Sequence, residues 1–250
     1  MPLKGLWLQR YVYAAVEERA ITDVDVIVPD GAFALARRTL EGAGFRAHNA
    51  NASEVALFAR DLPLPIDLHA RLFMPGAFAL PTEALFARAS APVDLDGARV
   101  VLPDPVDALC HLVGHFVKSR GAPSDARRTR DFVVVVQRFG LAPGHVAGRL
   151  QAAGMGRAAR YAFSELAAAD PVFTEILAAL PPDATGDLLA KACARVHASG
   201  GLGPAFRGTL LDRATRALPG YLLERSLPAA GKALLLRAVS LSADQAHTSK

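Results

Sequence analysis

Residues 22–28 read TDVDVIV and residues 66–72 read IDLHARL. The first stretch is short, β-branched and alternating, the pattern of a strand. Side chains alternate across a strand, so Asp23 and Asp25 share one face. The second stretch alternates too, and it lines up Asp67, His69 and Arg71 on one face. At strand rise the Cα atoms of Asp23 and Asp25 stand about 6.6 Å apart. At an effective dielectric of about 20 their charges repel by roughly 2 to 3 kcal/mol. A cation relieves that repulsion, and hard carboxylate oxygens favour Mg2+ or Mn2+. Two such ions about 3.5 to 4 Å apart suit activation of an attacking oxygen and stabilisation of a leaving phosphate oxygen. The Asp-Val-Asp pair alone also fits a solvated strand end. The second strand, with a carboxylate, an imidazole and a guanidinium in one row, turns the reading toward a site.

Outward from these strands, the pattern divides the chain in two. Leu6, Leu8, Tyr11, Val12, Ala15 and Val16 recur at helical spacing and predict a helix over residues 3–18. Pro29, Asp30 and Gly31 end the first strand and open a helix to about Ala43, with Asp30 expected as N-cap and Gly44 as the residue after the helix. Strands are expected over 45–49 and 54–60, a short helix over 81–89, and a hairpin over 93–102 turning at Asp96-Gly97. From Asp104 the character changes. DPVDALCHLVGHFVKS is an amphipathic helix with Pro103 and Asp104 as its start signals. Further helices are expected near 125–139, 144–153, 155–168, 171–180, 185–198, 207–217 and 229–241. The expectation is an α+β protein: a small mixed-sheet domain over 1–102 and an all-helical domain over 103–250.

Composition sets the class. Of 250 residues, 52% are apolar and 21% charged, a balance that supports a packed core and argues against disorder. The net charge of +4 is modest for a nucleic-acid binder, which usually shows a denser basic stripe. Cys110 and Cys193 lack CxxC spacing and read as buried free thiols. Neither a signal peptide nor an apolar run of about 18 residues is visible, so the cytoplasm is the expected location and no membrane is expected as partner. No GxxxxGK[ST] or GxGxxG is present, which removes the P-loop and Rossmann readings.

LKG at residues 3–5, Arg19 with TDVDVIV, IDLHARL, and the LPDPVDALCHLVGH helix follow one another in a specific order. In that order the chain resembles an uncharacterised nucleotidyltransferase family of the DNA polymerase beta-like superfamily, over residues 3 to about 139. The resemblance implies a nucleotidyltransferase core in the first domain. It puts the superfamily's paired metal-binding carboxylates on Asp23 and Asp25 and its third carboxylate on Asp67. The third acid helps deprotonate or orient the acceptor hydroxyl. The resemblance also puts the glycine turn that approaches a triphosphate on Gly5, with Lys4 beside it as a phosphate contact. Leu6 stands where the broader superfamily has Ser or Gly, and family members usually carry a longer segment before the LKG turn. Arg71 is a candidate phosphate clamp or a partner for an Asp. The implied activity is Mg2+- or Mn2+-dependent transfer of a nucleoside monophosphate from a nucleoside triphosphate. The acceptor is a small molecule, a protein or an RNA end, the first two favoured by the modest charge. The alternative is a catalytically inactive nucleotide-binding or protein-interaction module on the same fold.

Other polar residues stay open. His111 and His115 stand four apart on one helix face, a spacing that suits zinc, but the Glu of HExxH is absent and core or interface histidines fit as well. Lys118, Arg120, Arg127, Arg128 and Arg130 form a basic cluster at a helix joint. They read either as a solvated helix end or, with Lys118 foremost, as groups that reach back to the triphosphate. Asp131 is a cap, a partner for Arg127 or a remote acid–base group. Tyr11 and Tyr13 suit core packing or stacking on a base. Arg207, Arg213, Arg216 and Arg225 read as surface.

Overall fold

The computed structural model describes residues 1–73, 77–118, 126–198 and 223. Arg120, the four late arginines and the helices expected near 207–217 and 229–241 lie outside them. An N-terminal α/β region with a small mixed sheet precedes an all-helical C-terminal half.

Four strands form the main sheet: β1 (Val24–Ile27), β2 (Arg46–His48), β3 (Glu54–Phe58) and β4 (Ile66–His69). Their spatial order is β1-β4-β3-β2. β1 and β4 run parallel with Asp25 opposite Asp67, and β3 pairs antiparallel with both β4 and β2. One face is apolar. Val55, Leu57 and Leu68 are buried there with Val26, Ile66 and Phe45, and Phe33, Ala36 and Leu40 of helix α2 (Phe33–Gly42) pack on them. The strands alternate, so the opposite face receives the side chains of Asp25, Ile27, Asp67 and His69. The face that carries the acids is therefore set by the face that has to bury Val, Leu and Ile.

Asp30 is not the cap of α2. It starts a short 3-10 turn (Asp30–Ala32), Ala32 is the residue before the helix, and the Asp30 carboxylate accepts from Arg71 instead. Gly44 fills the place expected of it, at φ +94°, a conformation that favours glycine. The hairpin of β5 (Val93–Leu95) and β6 (Ala98–Val100) turns at Asp96-Gly97, both at positive φ, as a type I′ turn requires.

The long N-terminal helix expected over residues 3–18 is broken. Residues 1–3 run antiparallel along β1: Ile27 N–H donates to the Met1 carbonyl, Leu3 N–H donates to the Asp25 carbonyl, and Pro2 bridges to Val26. Helix α1 (Lys4–Trp7) follows, then a π-helical turn (Leu8–Val12) and an extended stretch before the 3-10 turn Val16–Glu18. Leu8, Val12 and Tyr13 are all buried, which explains the apolar spacing, but the backbone serves two partners that the spacing does not reveal. Gln9 Nε2 donates to the carbonyls of Val16 and Arg19, closing the loop, and the Tyr13 hydroxyl reaches Asp131.

The described residues divide into two compact units: those within 1–73, 80–112 and 130–141 form the first, and those within 77–79, 113–118, 126–129 and 142–198 the second. The first contains the sheet, helix α3 (Thr82–Arg88), most of α4 (Pro105–Lys118) and most of α5 (Ala126–Phe139). Asp104 caps α4 as expected, its carboxylate accepting from the N–H groups of Val106 and Asp107. Arg88 anchors α3 to the buried Asp107 of α4 at 2.7 Å. Trp7 stacks on Phe139 within the same unit, with centroids 5.9 Å apart.

In the second unit, α6 (Pro143–Ala152), α7 (Gly156–Leu166), α8 (Pro171–Ala179) and α9 (Ala184–Ala198) pack around Leu150, Ala159, Tyr161, Phe163, Phe173 and Ile176. Phe163 stacks on Phe173 at 5.5 Å. Arg160, itself buried, is satisfied by Asp187 and the Pro181 carbonyl. Both cysteines are buried as thiols, and burial pushes the Cys193 thiol up to about 11. Among the described residues no helix is long and apolar enough to cross a membrane.

Candidate metal centre

The acids converge. Asp23 precedes β1, Asp25 lies within it, and Asp67 sits opposite Asp25 on β4. Each of the three offers a carboxylate oxygen within 4.8 Å of the others. The parallel register brings this about: a shift of one residue would turn Asp67 to the apolar face. Three hard anionic oxygens at that spacing fit a divalent cation of the Mg2+ or Mn2+ type, and they repel one another without one.

The three are not alike. Asp25 is buried, with 3% of its surface exposed. Its Oδ1 receives the Lys4 ammonium at 2.8 Å and His69 Nε2 at 3.2 Å. Burial acts to raise its pKa, but the His69 hydrogen bond and the Lys4 charge outweigh it and hold the carboxyl well below the usual carboxylate range. Asp67 goes the other way. Burial and then the charge of Asp25 push it above its ordinary value; Asp23 and Glu54 add to the push and His69 opposes it. One acid is thus locked in the charged form while its neighbour resists ionisation, the expected behaviour of carboxylates sharing a site.

Lys4 is aimed by its backbone. It adopts φ +35°, in the left-handed region, at a cost of order 1 kcal/mol for a residue with a Cβ. Gly5 does not take positive φ. It lies buried in α1, and a Cβ there would stand 3.0 Å from Ile21 Cγ2, so its requirement is close packing. Lys4 also lines a small recess with Trp7, Ala108 and His111, and His111 meets Phe73 edge-to-face at 6.0 Å.

Arg71 lies just past β4 and pairs with Asp30 at 3.0 Å, both about half exposed. Lys118 is exposed at the end of α4 and belongs to the second unit, as do Arg127 and Arg128. Arg130 pairs with Glu18 and lies over the Tyr13 ring, 5.1 Å from its centroid. The partners of Asp131 are Arg19 and Tyr13, not Arg127. Arg19 Nε and Nη2 donate to its two oxygens at 2.8 and 3.0 Å, and the Tyr13 hydroxyl donates at 2.8 Å. Burial and this bond push the Tyr13 phenol up. Arg19 leads directly into Asp23 and β1, so this clasp fixes the approach to the acids.

The sequence reading missed Glu54. It lies opposite His69 in the β3–β4 register, and its charge acts on Asp67. The alternation of EVALF places Glu54 opposite Val55 and Leu57 in orientation, but only the strand pairing brings it beside the other acids.

Fold and acids together define a nucleotidyltransferase-superfamily protein with a candidate aspartate metal centre. The model of a family described as "Uncharacterised nucleotidyltransferase" matches residues 1–168, two thirds of the chain, and the chain belongs to that family, within the DNA polymerase beta-like superfamily. A comparison with curated proteins finds no match.

Proposed function

We propose that the protein transfers a nucleoside monophosphate from a nucleoside triphosphate to an acceptor, with Asp23, Asp25 and Asp67 as ligands of Mg2+ or Mn2+. The observation that carries this reading is the convergence of the three carboxylates on one face of a nucleotidyltransferase sheet. When bound, the metal supplies electrophilic stabilisation of charge on the phosphate oxygens. The remaining work falls to the chain. Asp25, held ionised, is the permanent anionic ligand. Asp67, whose ionisation its neighbours oppose, is the group suited to take the acceptor hydroxyl's proton. His69 fixes the Asp25 carboxylate through its hydrogen bond. Lys4 and Arg71 are the cations proposed for the triphosphate. A small molecule or a protein side chain suits the modest net charge of +4 better than RNA as acceptor.

The test is incubation with each α-labelled nucleoside triphosphate and Mg2+, for the wild type and Asp23→Ala. Metal-dependent pyrophosphate release that falls by about a thousandfold or more in the variant supports the transferase. Nucleotide binding without release from any nucleotide, whatever acceptor is supplied, points to a binding module on the same fold. Absence of both metal and nucleotide binding rejects the proposal.

A further inference from the structure

We propose that Lys4 is a resident counter-cation of the metal centre: it holds Asp25 while no metal is bound, and it yields that place when a divalent ion and a nucleoside triphosphate arrive together. The inference rests on the nucleotidyltransferase reading and adds to it an order of events. Lys4 Nζ lies 2.8 Å from Asp25 Oδ1, and its side chain is 18% exposed. The placement is built into the backbone rather than left to a flexible stem. Leu3 N–H donates to the Asp25 carbonyl at 3.0 Å, which ties the residue before Lys4 to the residue it neutralises. Lys4 itself takes the left-handed conformation, and α1 starts there. The same Oδ1 also receives His69.

A single ammonium can neutralise one carboxylate, and the centre holds three within 4.8 Å. The divalent ion answers the charge of the triad better than Lys4 does, but it has to compete for Asp25. Free metal therefore binds weakly. A nucleoside triphosphate changes the competition, because its phosphates offer the displaced ammonium a new anionic partner beside the metal. Metal and nucleotide then bind cooperatively, through the one cation that both displace or recruit.

The experiment measures Mn2+ affinity of the full chain by the EPR signal of free Mn2+, with and without a non-hydrolysable α,β-methylene triphosphate. Wild type is compared with Lys4→Met, Lys4→Gln and Lys4→Arg, each first checked for a cooperative melt. Without nucleotide, either neutral variant is expected to bind Mn2+ at least about tenfold more tightly, since a cation no longer competes at contact distance. Lys4→Arg, which keeps the charge, is expected to stay within about threefold of wild type. The analogue should tighten Mn2+ binding in wild type and much less in Lys4→Met. Equal or weaker Mn2+ binding by a folded neutral variant would overturn the proposal. A separate control isolates the underlying reading: Asp23→Asn must weaken Mn2+ binding in every background. If it does not, the metal centre itself is wrong. If it does while the Lys4 series shows no change, only the role of Lys4 falls.

Discussion

Two buried carboxylates of the same unit meet opposite fates. Asp131 is closed: a guanidinium forks onto both of its oxygens and a phenol adds a third bond. Asp25 is left open: Lys4 and His69 both fall on Oδ1, and its nearest like-charged neighbours, Asp23 and Asp67, share its face. The first arrangement satisfies a buried charge and clamps α5 to the loop before β1. The second leaves a surplus of negative charge that Lys4 and His69 do not answer. Burial alone does not separate a structural acid from a ligand; the geometry and sign of the neighbours do.

The largest effect that sharpens this contrast is expected at Asp131. Asp131→Ala strands Arg19, only 11% exposed, and should cost about 3 to 5 kcal/mol in urea unfolding. Asp25→Asn should cost at most about 2 kcal/mol, because Lys4 can turn to the remaining acids, yet it should abolish the rise in melting temperature given by Mn2+. Tyr13→Phe deletes one bond to Asp131 and should cost about 1 kcal/mol with the Mn2+ response intact. If Tyr13→Phe removes the metal response and Asp25→Asn keeps it, the two regions have been assigned the wrong way round.

The pH dependence offers a second handle. In the metal-free protein Asp67 keeps its proton at pH values where the unfolded chain has lost it. Stability contributed by Asp67 is therefore lost as pH rises through that interval. Asp25 works in the opposite sense: its contribution is present above the ordinary carboxylate range and is lost only as pH falls toward its depressed value. Asp25→Asn removes the largest charge acting on Asp67, so the Asp67 titration, followed by carboxyl 13C NMR, should move down. An unmoved titration contradicts a shared field.

The smallest effects belong to residues outside both carboxylate clusters. Gly5→Ala brings a Cβ to 3.0 Å from Ile21 Cγ2, a methyl carried on a stiff β-branched carbon, and should cost about 1 kcal/mol. Arg71→Ala breaks an exposed ion pair with Asp30 and should cost under about 0.5 kcal/mol, while nucleotide affinity reports whether Arg71 reaches phosphate.

Much of this was legible in the sequence. Alternation in TDVDVIV and IDLHARL placed three acids on sheet faces, and Asp104 and Asp96-Gly97 marked a helix start and a hairpin through local chemistry. What escaped is non-local. The register that sets Asp25 against Asp67, and Glu54 against His69, comes from strand pairing, which a single strand does not encode. The partnership of Tyr13 with Asp131 spans 118 positions, and it breaks a helix that apolar spacing alone supports. Lys4 at positive φ defies its residue type, because pairing with β1 and the pull of Asp25 override local preference.

Whether a divalent ion sits among Asp23, Asp25 and Asp67 is decided by anomalous scattering, and the proposed site makes a definite prediction for it. Crystals grown with Mn2+ and a non-hydrolysable nucleoside triphosphate should give an anomalous peak at coordination distance from carboxylate oxygens of Asp23, Asp25 and Asp67, with the triphosphate on the same ion. Saturating Mn2+ and bound nucleotide with no peak between those carboxylates would contradict it.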